Sequence, residues 1–372
     1  MKAESKDESK DELQQDTGVS LTDRYEQMNR SKLLMALLAV MVLALLTLYS
    51  IATGALSLPP GEVLQALIGA AEGGRSDIII WNIRLPRVLA AIMAGGGLAL
   101  SGAVMQTILK NPLGSPFTLG ISQAAGFGAA FSIIFLGAGS LQSGGEGTIM
   151  LDYFYLTAFS AFGWSLLSTG IILFLVRYRG ASPATMILAG VALGSLFTAG
   201  TTALQYAADE VELAAIVFWT FGDVGRATWR NNAVMLLSTL PALIYFLLNS
   251  WNYRLLASGD ETARSLGVNV SRLRLLGMLL ASLVTAIIIS IVGIIGFVGL
   301  VAPHIGRKLI GPDEKYLFPF SLLVGSILLL AADTAARTVI SPVVLPVGIL
   351  TSFLGVPLFL YLIMKGREYM WS

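Results

Sequence analysis

The sequence predicts an all-α polytopic membrane protein with about ten transmembrane helices. Hydrophobic residues make up 55% of its 372 residues, charged residues make up only 13%, and the mean hydropathy is +0.75. Water-soluble domains carry about 25% charged residues. The charges are also unevenly distributed, because residues 1–32 hold 14 of the 47. The rest of the chain is therefore apolar enough to lie almost entirely in a bilayer.

The polar N-terminal tail, residues 1–32, mixes both charge signs with Gln, Ser and Thr. It is too polar to bury a core and does not resemble the short basic start of a secretory signal. We predict a disordered or loosely helical cytoplasmic extension. A docking tail for a partner protein is the alternative.

Each predicted span is a run of about 20 apolar residues, the length of helix that crosses a hydrocarbon core of about 30 Å. Glycine, proline and charged residues separate the runs. The ten predicted spans, within one transmembrane domain of residues 33–366, are 33–53, 84–108, 117–136, 153–176, 184–208, 231–250, 273–292, 294–309, 317–338 and 345–364.

The distribution of positive charge gives the orientation of these spans. With the tail in the cytoplasm, 18 of the 24 Lys and Arg residues lie inside, as the positive-inside rule requires. Six lie outside: Arg75, Arg84, Arg87, Arg226, Arg230 and Arg337. An even number of spans returns the C-terminal residues 367–372 to the cytoplasm.

Two further apolar segments, 61–70 and 209–221, are too short to span and fall outside. The second begins with three acidic residues, which suit the N-terminus of a helix because of its dipole. It is either an interfacial helix anchored by Trp219 or a short gate helix over a pore mouth.

Small residues recur inside the spans at helical spacing. Gly95, Ala99 and Gly102 share the second span, and Gly190 and Gly194 share the fifth. Such residues let helices approach closely in lipid. Tight packing explains any one of them, and a helix surface that slides or lines a path is the alternative. The ten glycine-rich helices together indicate a transporter-like bundle.

Asp333 is the acidic residue deepest in a predicted span, and a charge at that depth is a functional candidate because its isolated burial is costly. Arg337 lies four residues later on the same helical face, so we expect the two to pair. A proton relay is the weaker alternative. His304 has no second histidine, cysteine or nearby carboxylate, and we interpret it as structural.

The composition excludes several classes of function. The chain has no cysteine, one histidine and a net charge of +1, so it offers neither a thiolate or histidine metal site nor a basic surface for nucleic acid. It contains no HExxH, GxSxG or GxxxxGK[ST] motif, so it carries no hydrolytic machinery. If ATP drives this protein, another subunit binds it.

The longest inside loop, residues 251–272, is the most informative hydrophilic segment. We expect Ser258 to cap a short helix, Gly267 to end it, and a second short helix to start near Asn269. Two short helices joined at a glycine would form a rigid knob for docking a cytoplasmic partner, although a solvated loop is equally compatible with this segment alone.

Four long segments carry a family resemblance. They are RLPRVLAAIMAGGGLALSGAVMQTILKNPLGSPFTLGIS (84–122), SGDETARSLGV (258–268), GFVGLVAPHIGR (296–307) and PVGILTSFLGVPLFLYLIMK (346–365). In this order they resemble the FecCD family of bacterial ABC importer permeases, which carry iron-siderophores, haem and cobalamin. The resemblance covers about residues 33–366, and the tail is longer and more charged than is usual in the family.

The resemblance implies a type II ABC importer permease architecture. The expected partners are a second permease copy or a sister permease, two ATPase subunits inside, a substrate-binding protein outside, and membrane lipid. No cofactor is expected in this chain, because ATP and Mg would be bound by the partner ATPase. The expected location is the inner cell membrane of a bacterium or archaeon, with both termini in the cytoplasm.

The resemblance also implies roles for individual residues. Arginines at the outer ends of the second and ninth spans would dock the binding protein; they are Arg84, Arg87 and Arg337. Interface snorkelling, or pairing with Asp333 for Arg337, is the alternative. The loop would contact the ATPase through Gly259, Asp260, Glu261, Ala263, Arg264, Leu266 and Gly267. The fifth and tenth spans would line the path, with candidates Gly190, Gly194, Thr198 and Thr202.

The leading expectation is therefore a permease subunit that imports a ferric-siderophore-type chelate by alternating access. Haem or cobalamin import by the same family is the alternative. An ion-coupled secondary carrier and a membrane scaffold are the rival classes.

Overall fold

The computed structural model describes residues 21–54, 59–68, 75–138, 154–179, 182–340 and 343–365, and these ranges contain fifteen α-helices and no strand. Ten helices coincide with the predicted spans: α1 (Leu21–Ala52), α4 (Leu85–Leu109), α5 (Ile121–Phe135), α6 (Phe154–Arg179), α7 (Pro183–Ala207), α9 (Trp229–Leu248), α12 (Val270–Val292), α13 (Val298–Ile310), α14 (Glu314–Thr338) and α15 (Val347–Lys365). Five are short: α2 (Pro60–Leu67), α3 (Arg75–Ile79), α8 (Glu210–Thr220), α10 (Ser250–Ser258) and α11 (Asp260–Ser265).

The prediction of a polytopic all-helical protein is confirmed. Within the described residues, seven of the ten helices are long and apolar enough to cross a membrane. The apolar helices α5 and α15 are shorter, and α13 has only 13 residues. All three pack against the longer helices.

The first helix begins earlier than predicted. It starts at Leu21 and includes the last 12 residues of the polar tail, whereas residues 1–20 and 367–372 lie outside the described residues. Near its start, Asn29 accepts a hydrogen bond from the Tyr316 hydroxyl at 3.3 Å, and the Lys32 ammonium lies 4.7 Å from the centre of the same ring. The end of the tail is thus held against the start of α14.

Helix α4 forms the centre of the bundle and is its most buried span, with α14, α12, α13 and α9 around it. Its small residues permit these contacts. A Cβ built on Gly95 would overlap the Gly325 carbonyl oxygen of α14, and one on Gly102 would overlap the Gly299 carbonyl of α13. The predicted small-residue spacing is confirmed as close helix packing.

The inside loop differs from its prediction in two places. Residues 250–258 are already helical, and Gly259 rather than Ser258 occupies the N-cap of α11; the Ser258 hydroxyl donates to the Arg254 carbonyl instead. Asn269 does cap a helix, but that helix is the long span α12. Gly267 ends α11 with φ +85°, as predicted.

The segment 209–221 forms the short helix α8. Asp209 caps it and exchanges hydrogen bonds with Glu212 in a capping box. Trp219 is buried in the main core rather than exposed at an interface, so the hypothesis of an interfacial anchor is wrong. An indole this deep fixes α8 to the bundle by packing.

Candidate functional site

An open cavity of about 980 Å³ runs along one face of α7. All four predicted path residues line it, because they follow one another at helical spacing on that face. The lining consists of Phe117, Thr118, Gly120, Gln123, Gly190, Val191, Gly194, Ser195, Thr198, Ala199, Thr202, Ala203 and Tyr206. None of these side chains is charged, so the cavity surface is apolar with scattered hydroxyl and amide groups.

The two glycines of this face also serve packing. Gly190 and Gly194 lie against the turn at Leu119 and Gly120, and a Cβ on Gly190 would come within 2.8 Å of the Leu119 Cα. Gly120 itself has φ +73° and caps α5. The glycines therefore bring the α4–α5 connection to the cavity wall, which is how Phe117 and Thr118 enter the lining.

Two hydroxyl groups on this face, those of Thr198 and Thr202, have their protons engaged. Thr198 donates to the Gly194 carbonyl at 2.8 Å, and Thr202 donates to the Thr198 carbonyl at 3.0 Å. Toward a solute they present oxygen lone pairs. The Gln123 Oε1 atom has no hydrogen-bond partner among the described residues. Gln123 is not among the predicted path residues, because it lies on a different helix from that set.

A second cavity, of about 510 Å³, adjoins the first through Phe117 and Thr118, which line both. Its far wall is the start of α15, with Gly348, Ile349, Ser352 and Phe353. The fifth and tenth spans, which the resemblance implies as the lining of the path, thus each line one of two cavities that share Phe117 and Thr118.

Three arginines gather at the end of the bundle that the charge distribution places outside; Arg84, Arg87 and Arg337 are called here the outer arginine cluster. Arg84 ends a π-helical turn, Ile80–Arg84, that leads directly into α4. Its guanidinium donates to the carbonyls of Ile51 and of Ala52, the latter at 2.9 Å. Arg337 donates to the Thr53 carbonyl at 3.0 Å and to the Ser50 hydroxyl at 2.6 Å. Since the last carbonyls of a helix lack partners within it, these arginines cap α1.

Asp333 lies fully buried within this cluster. Its carboxylate accepts from Arg337 Nε at 3.0 Å, so the predicted i,i+4 pair is confirmed. It also accepts from Arg87 Nε at 2.9 Å, which joins α4 to α14. Asp223, in the turn after α8, lies 3.6 Å from Arg87 Nη2 on the solvent side.

All three arginines are largely buried within the bundle. Arg84 is 6% exposed and Arg337 is 8% exposed, while the Arg87 side chain is 15% exposed. Each guanidinium binds groups of the chain itself. The structure therefore gives the predicted docking residues an internal role, and Arg87 is the most accessible of the three.

Residues 259–267, which include α11 and the glycines that flank it, are called here the inside knob, and they present the predicted ATPase contacts unevenly. Glu261, Arg264, Leu266 and Gly267 are exposed, whereas Ala263 is fully buried and fastens α11 to the bundle. Gly259 is half-buried with φ +142°, a conformation that favours glycine. These exposed residues of α11 and of the turn after it are called here the exposed patch of α11.

Asp260, also predicted as an ATPase contact, is bound within the chain. Its carboxylate accepts two hydrogen bonds from Arg274, at 2.6 and 2.8 Å, and lies 2.8 Å from Lys110 Nζ. Partial burial raises the pKa of Asp260, but the hydrogen bonds and charges of Arg274 and Lys110 together outweigh burial and leave that pKa below its ordinary value.

Metal ligands are sparse in the structure. Among the described residues, no group of three or more His, Asp or Glu side chains lies close enough together to hold a metal ion. The His304 ring nitrogen Nδ1 lies 2.9 Å from the Leu300 carbonyl and so carries the proton, and its ring packs against Phe359. This placement supports the structural interpretation of His304.

Comparison with known proteins decides the family. The sequence model of the FecCD transport family matches residues 42–365, which include all ten predicted spans apart from the start of the first. The chain belongs to the FecCD transport family. Its α7 cavity, outer arginine cluster and inside knob are thus features of an ABC importer permease.

Relatives of this FecCD permease match over nearly its whole length. A Methanocaldococcus jannaschii protein assigned as an ABC transporter permease is 50% identical over 93% of this chain and 99% of its own. The haemin transport permease HmuU of Yersinia pestis is 38% identical over 88% of this chain and 95% of its own. The vitamin B12 import permease BtuC of Salmonella typhi is 35% identical over 93% and 98%.

A solved structure agrees with the fold. A protein assigned as a metal-chelate type ABC transporter, in an inward-facing conformation, superposes with a TM-score of 0.74 at 31% identity and covers 88% of this chain and 97% of its own. The FecCD permease described here is therefore a multi-pass membrane protein with the architecture of an ABC transporter permease.

Proposed function

We propose that this FecCD permease translocates a metal chelate into the cytoplasm, with a ferric-siderophore-type chelate as the leading substrate. The observation that carries the proposal is the joined pair of cavities on α7 and α15. Their lining is uncharged and weakly polar, so a bulky solute is contacted over a large area without a strong ionic grip. A path needs such a surface, because a solute that is bound tightly is not released.

The names of the relatives support the substrate class. Two relatives of similar identity are named for haem and for vitamin B12, and the solved structure is titled as metal-chelate type. These solutes share a metal held in a large organic ligand. The larger cavity, at about 980 Å³, lies at the upper end of the range of about 300–1,000 Å³ for small-molecule sites. Haem and cobalamin therefore stand as the alternative substrates.

The proposed assembly pairs the permease with a second copy or a sister permease. Each of the two permease chains then contacts one of the two ATPase subunits, in this chain through the exposed patch of α11. The polar terminal segments lie in the cytoplasm, as the charge distribution favours. ATP and Mg are bound by the ATPase, and this chain is not itself an enzyme.

The experiment that tests the proposal is uptake into proteoliposomes that contain the permease, its ATPase and its binding protein. Labelled ferric siderophores, haem and cobalamin are supplied in turn with ATP inside. ATP-dependent uptake of one of them supports the proposal and identifies the substrate. Uptake that persists without ATP and is abolished by ionophores would instead indicate an ion-coupled carrier.

The cavity is tested by Thr198→Trp. Thr198 is exposed and faces the cavity from the middle of α7, so an indole fits without disturbing the core but fills the passage. We expect uptake to fall about tenfold or more, since the solute cannot pass the obstruction. The control is Leu196→Trp on the same helix, because Leu196 is exposed and does not line the cavity. Equal uptake by both variants would contradict the assignment of this cavity as the path.

Docking of the binding protein is proposed at Arg87, the most accessible arginine of the outer cluster. An acidic group of the partner would compete with Asp223 for Arg87 Nη2, which lies 3.6 Å from that carboxylate. We expect Arg87→Gln to weaken binding-protein affinity about tenfold, measured with the permease in nanodiscs. Asp223→Asn is the matched control and should bind at least as tightly as the wild type, since it removes the competitor. Unchanged affinity in Arg87→Gln would assign docking elsewhere.

A further inference from the structure

The inside knob is attached to the bundle by one ionic cluster. The Asp260 carboxylate, at the first residue of α11, binds Lys110 and Arg274, and these three side chains are called here the inner clasp. Lys110 is the C-cap of α4, and Arg274 lies in the first turns of α12. The clasp therefore joins three separate elements at one carboxylate.

The clasp is held in place by the backbone around it. Lys110 adopts a left-handed conformation with φ +46°, which a non-glycine residue adopts rarely. Arg274 is only 1% exposed, and its Nε donates to the Ile108 carbonyl in the last turn of α4 at 3.3 Å. The two cations thus lie at the C-terminal end of α4, where the helix dipole favours positive charge. Arg274 contacts both α4 and α11.

Apart from the clasp, the knob is attached through its backbone turns and one buried side chain. It is a six-residue helix bounded by Gly259 and Gly267, both with positive φ. A hydrogen bond from the Val268 amide to the Ala263 carbonyl at 2.9 Å closes the turn after α11, and the two glycines change the direction of the chain before and after the helix. Buried Ala263 supplies one apolar contact, and the other residues from 261 to 267 are exposed. Without the clasp, α11 could turn about its two glycines while α4 stayed still.

Helix α4 connects this end of the molecule to the other. Its 25 residues extend about 38 Å at 1.5 Å per residue. Arg84 and Arg87 lie at its outer end, and Lys110 directly follows its inner end. Because α4 is closely packed along its length, a displacement at one end is carried as a movement of the whole helix.

We infer that Asp260 is a positioning residue that makes α11 move as one unit with α4 and α12, rather than a contact to the ATPase. The inference rests on the proposed function, since it concerns how a movement driven by the ATPase enters the bundle. Glu261, Arg264 and Leu266 remain available to the ATPase on the exposed face of the same helix.

The test is Asp260→Asn in the complex of permease, ATPase and binding protein. An asparagine keeps the size of the side chain but presents an amide group to Arg274 or Lys110 in place of one carboxylate oxygen. We expect the complex to assemble and hydrolyse ATP, while solute transported per ATP falls about tenfold, the effect of losing one hydrogen bond between charged groups. Lys110→Met should lower the same ratio, and Asp260→Glu should restore most of it.

The matched control is Arg272→Gln, which removes a positive charge from an exposed position of α12 two residues from Arg274. It should leave transport per ATP at the wild-type value. An unchanged ratio in Asp260→Asn would overturn the inference. Loss of ATPase co-purification would also overturn it, because Asp260 would then be a contact residue or a requirement for folding.

Failure of the proposed function is distinguishable from failure of this inference. If the wild-type permease neither binds an ATPase nor shows ATP-dependent uptake, the proposed function fails before any variant is compared. The inference is judged only from the ratio of transport to ATP hydrolysis between variants and a wild type that is active.

Discussion

Replacing Asp333 by asparagine is expected to destabilise the permease by about 3–5 kcal/mol, the usual cost of removing one partner from a buried charge cluster. Asp333 is fully buried and accepts from Arg87 at 2.9 Å and from Arg337 at 3.0 Å. Without its charge, two largely buried guanidiniums remain side by side with less compensation. The measurement is the free energy of unfolding in detergent, together with the yield of monodisperse protein.

The matched control is Asp223→Asn, which removes a carboxylate near the same arginine. Asp223 is 37% exposed and lies 3.6 Å from Arg87, so we expect a change below about 1 kcal/mol, as for other solvent-exposed pairs. Equal stability of the two variants would show that the outer cluster contributes through Arg–carbonyl capping of α1 and not through Asp333.

Replacing Gly102 by alanine is expected to force α4 and α13 apart. A Cβ at this position would overlap the backbone carbonyl of Gly299, which cannot turn away as a flexible side chain can. Overpacking of a close interface costs about 1–3 kcal/mol and sometimes more, and we expect the upper end here. The thermal unfolding temperature in detergent measures the effect, and uptake should fall with the amount of folded protein.

Gly170→Ala is the control for this prediction. Gly170 lies inside α6, and a Cβ there would meet no atom within 4 Å. Alanine is the better helix former by about 1 kcal/mol in water, so we expect an unfolding temperature at or slightly above that of the wild type. A Gly102→Ala variant as stable as Gly170→Ala would mean that α4 and α13 are free to separate.

Most of the fold could be predicted from the sequence, because bilayer thickness fixes the length of a span and hydropathy marks where each span lies. Nine of the ten predicted spans differ from the observed helices by only a few residues at either end. The largest error is at α1, which begins 12 residues early. Hydropathy has no signal for a polar helix that extends beyond the membrane, and contacts of Asn29 and Lys32 with Tyr316 support that extension.

The short segments were predicted less well, because their conformation depends on neighbours distant in the sequence. Trp219 has the composition of an interfacial anchor, yet the packing of α8 places it in the core. Ser258 is a favourable cap by residue type, but α10 continues through it and Gly259 takes the cap position.

Of the candidate site, the sequence pointed to α7 through the family resemblance, which implies Gly190, Gly194, Thr198 and Thr202 as path residues; their helical spacing is local, so the four share one face. The sequence by itself determined the Asp333–Arg337 pair, whose members are four residues apart. Contacts between distant segments supplied the rest. They bring Gln123 and Phe117 into the cavity wall, and they pair Arg87 with Asp333 across 246 positions and Lys110 with Asp260. Local periodicity fixes which side chains share a helix face. Which faces meet is decided by how the helices pack, and here small residues on α4 allow the approach that brings these distant charges into contact.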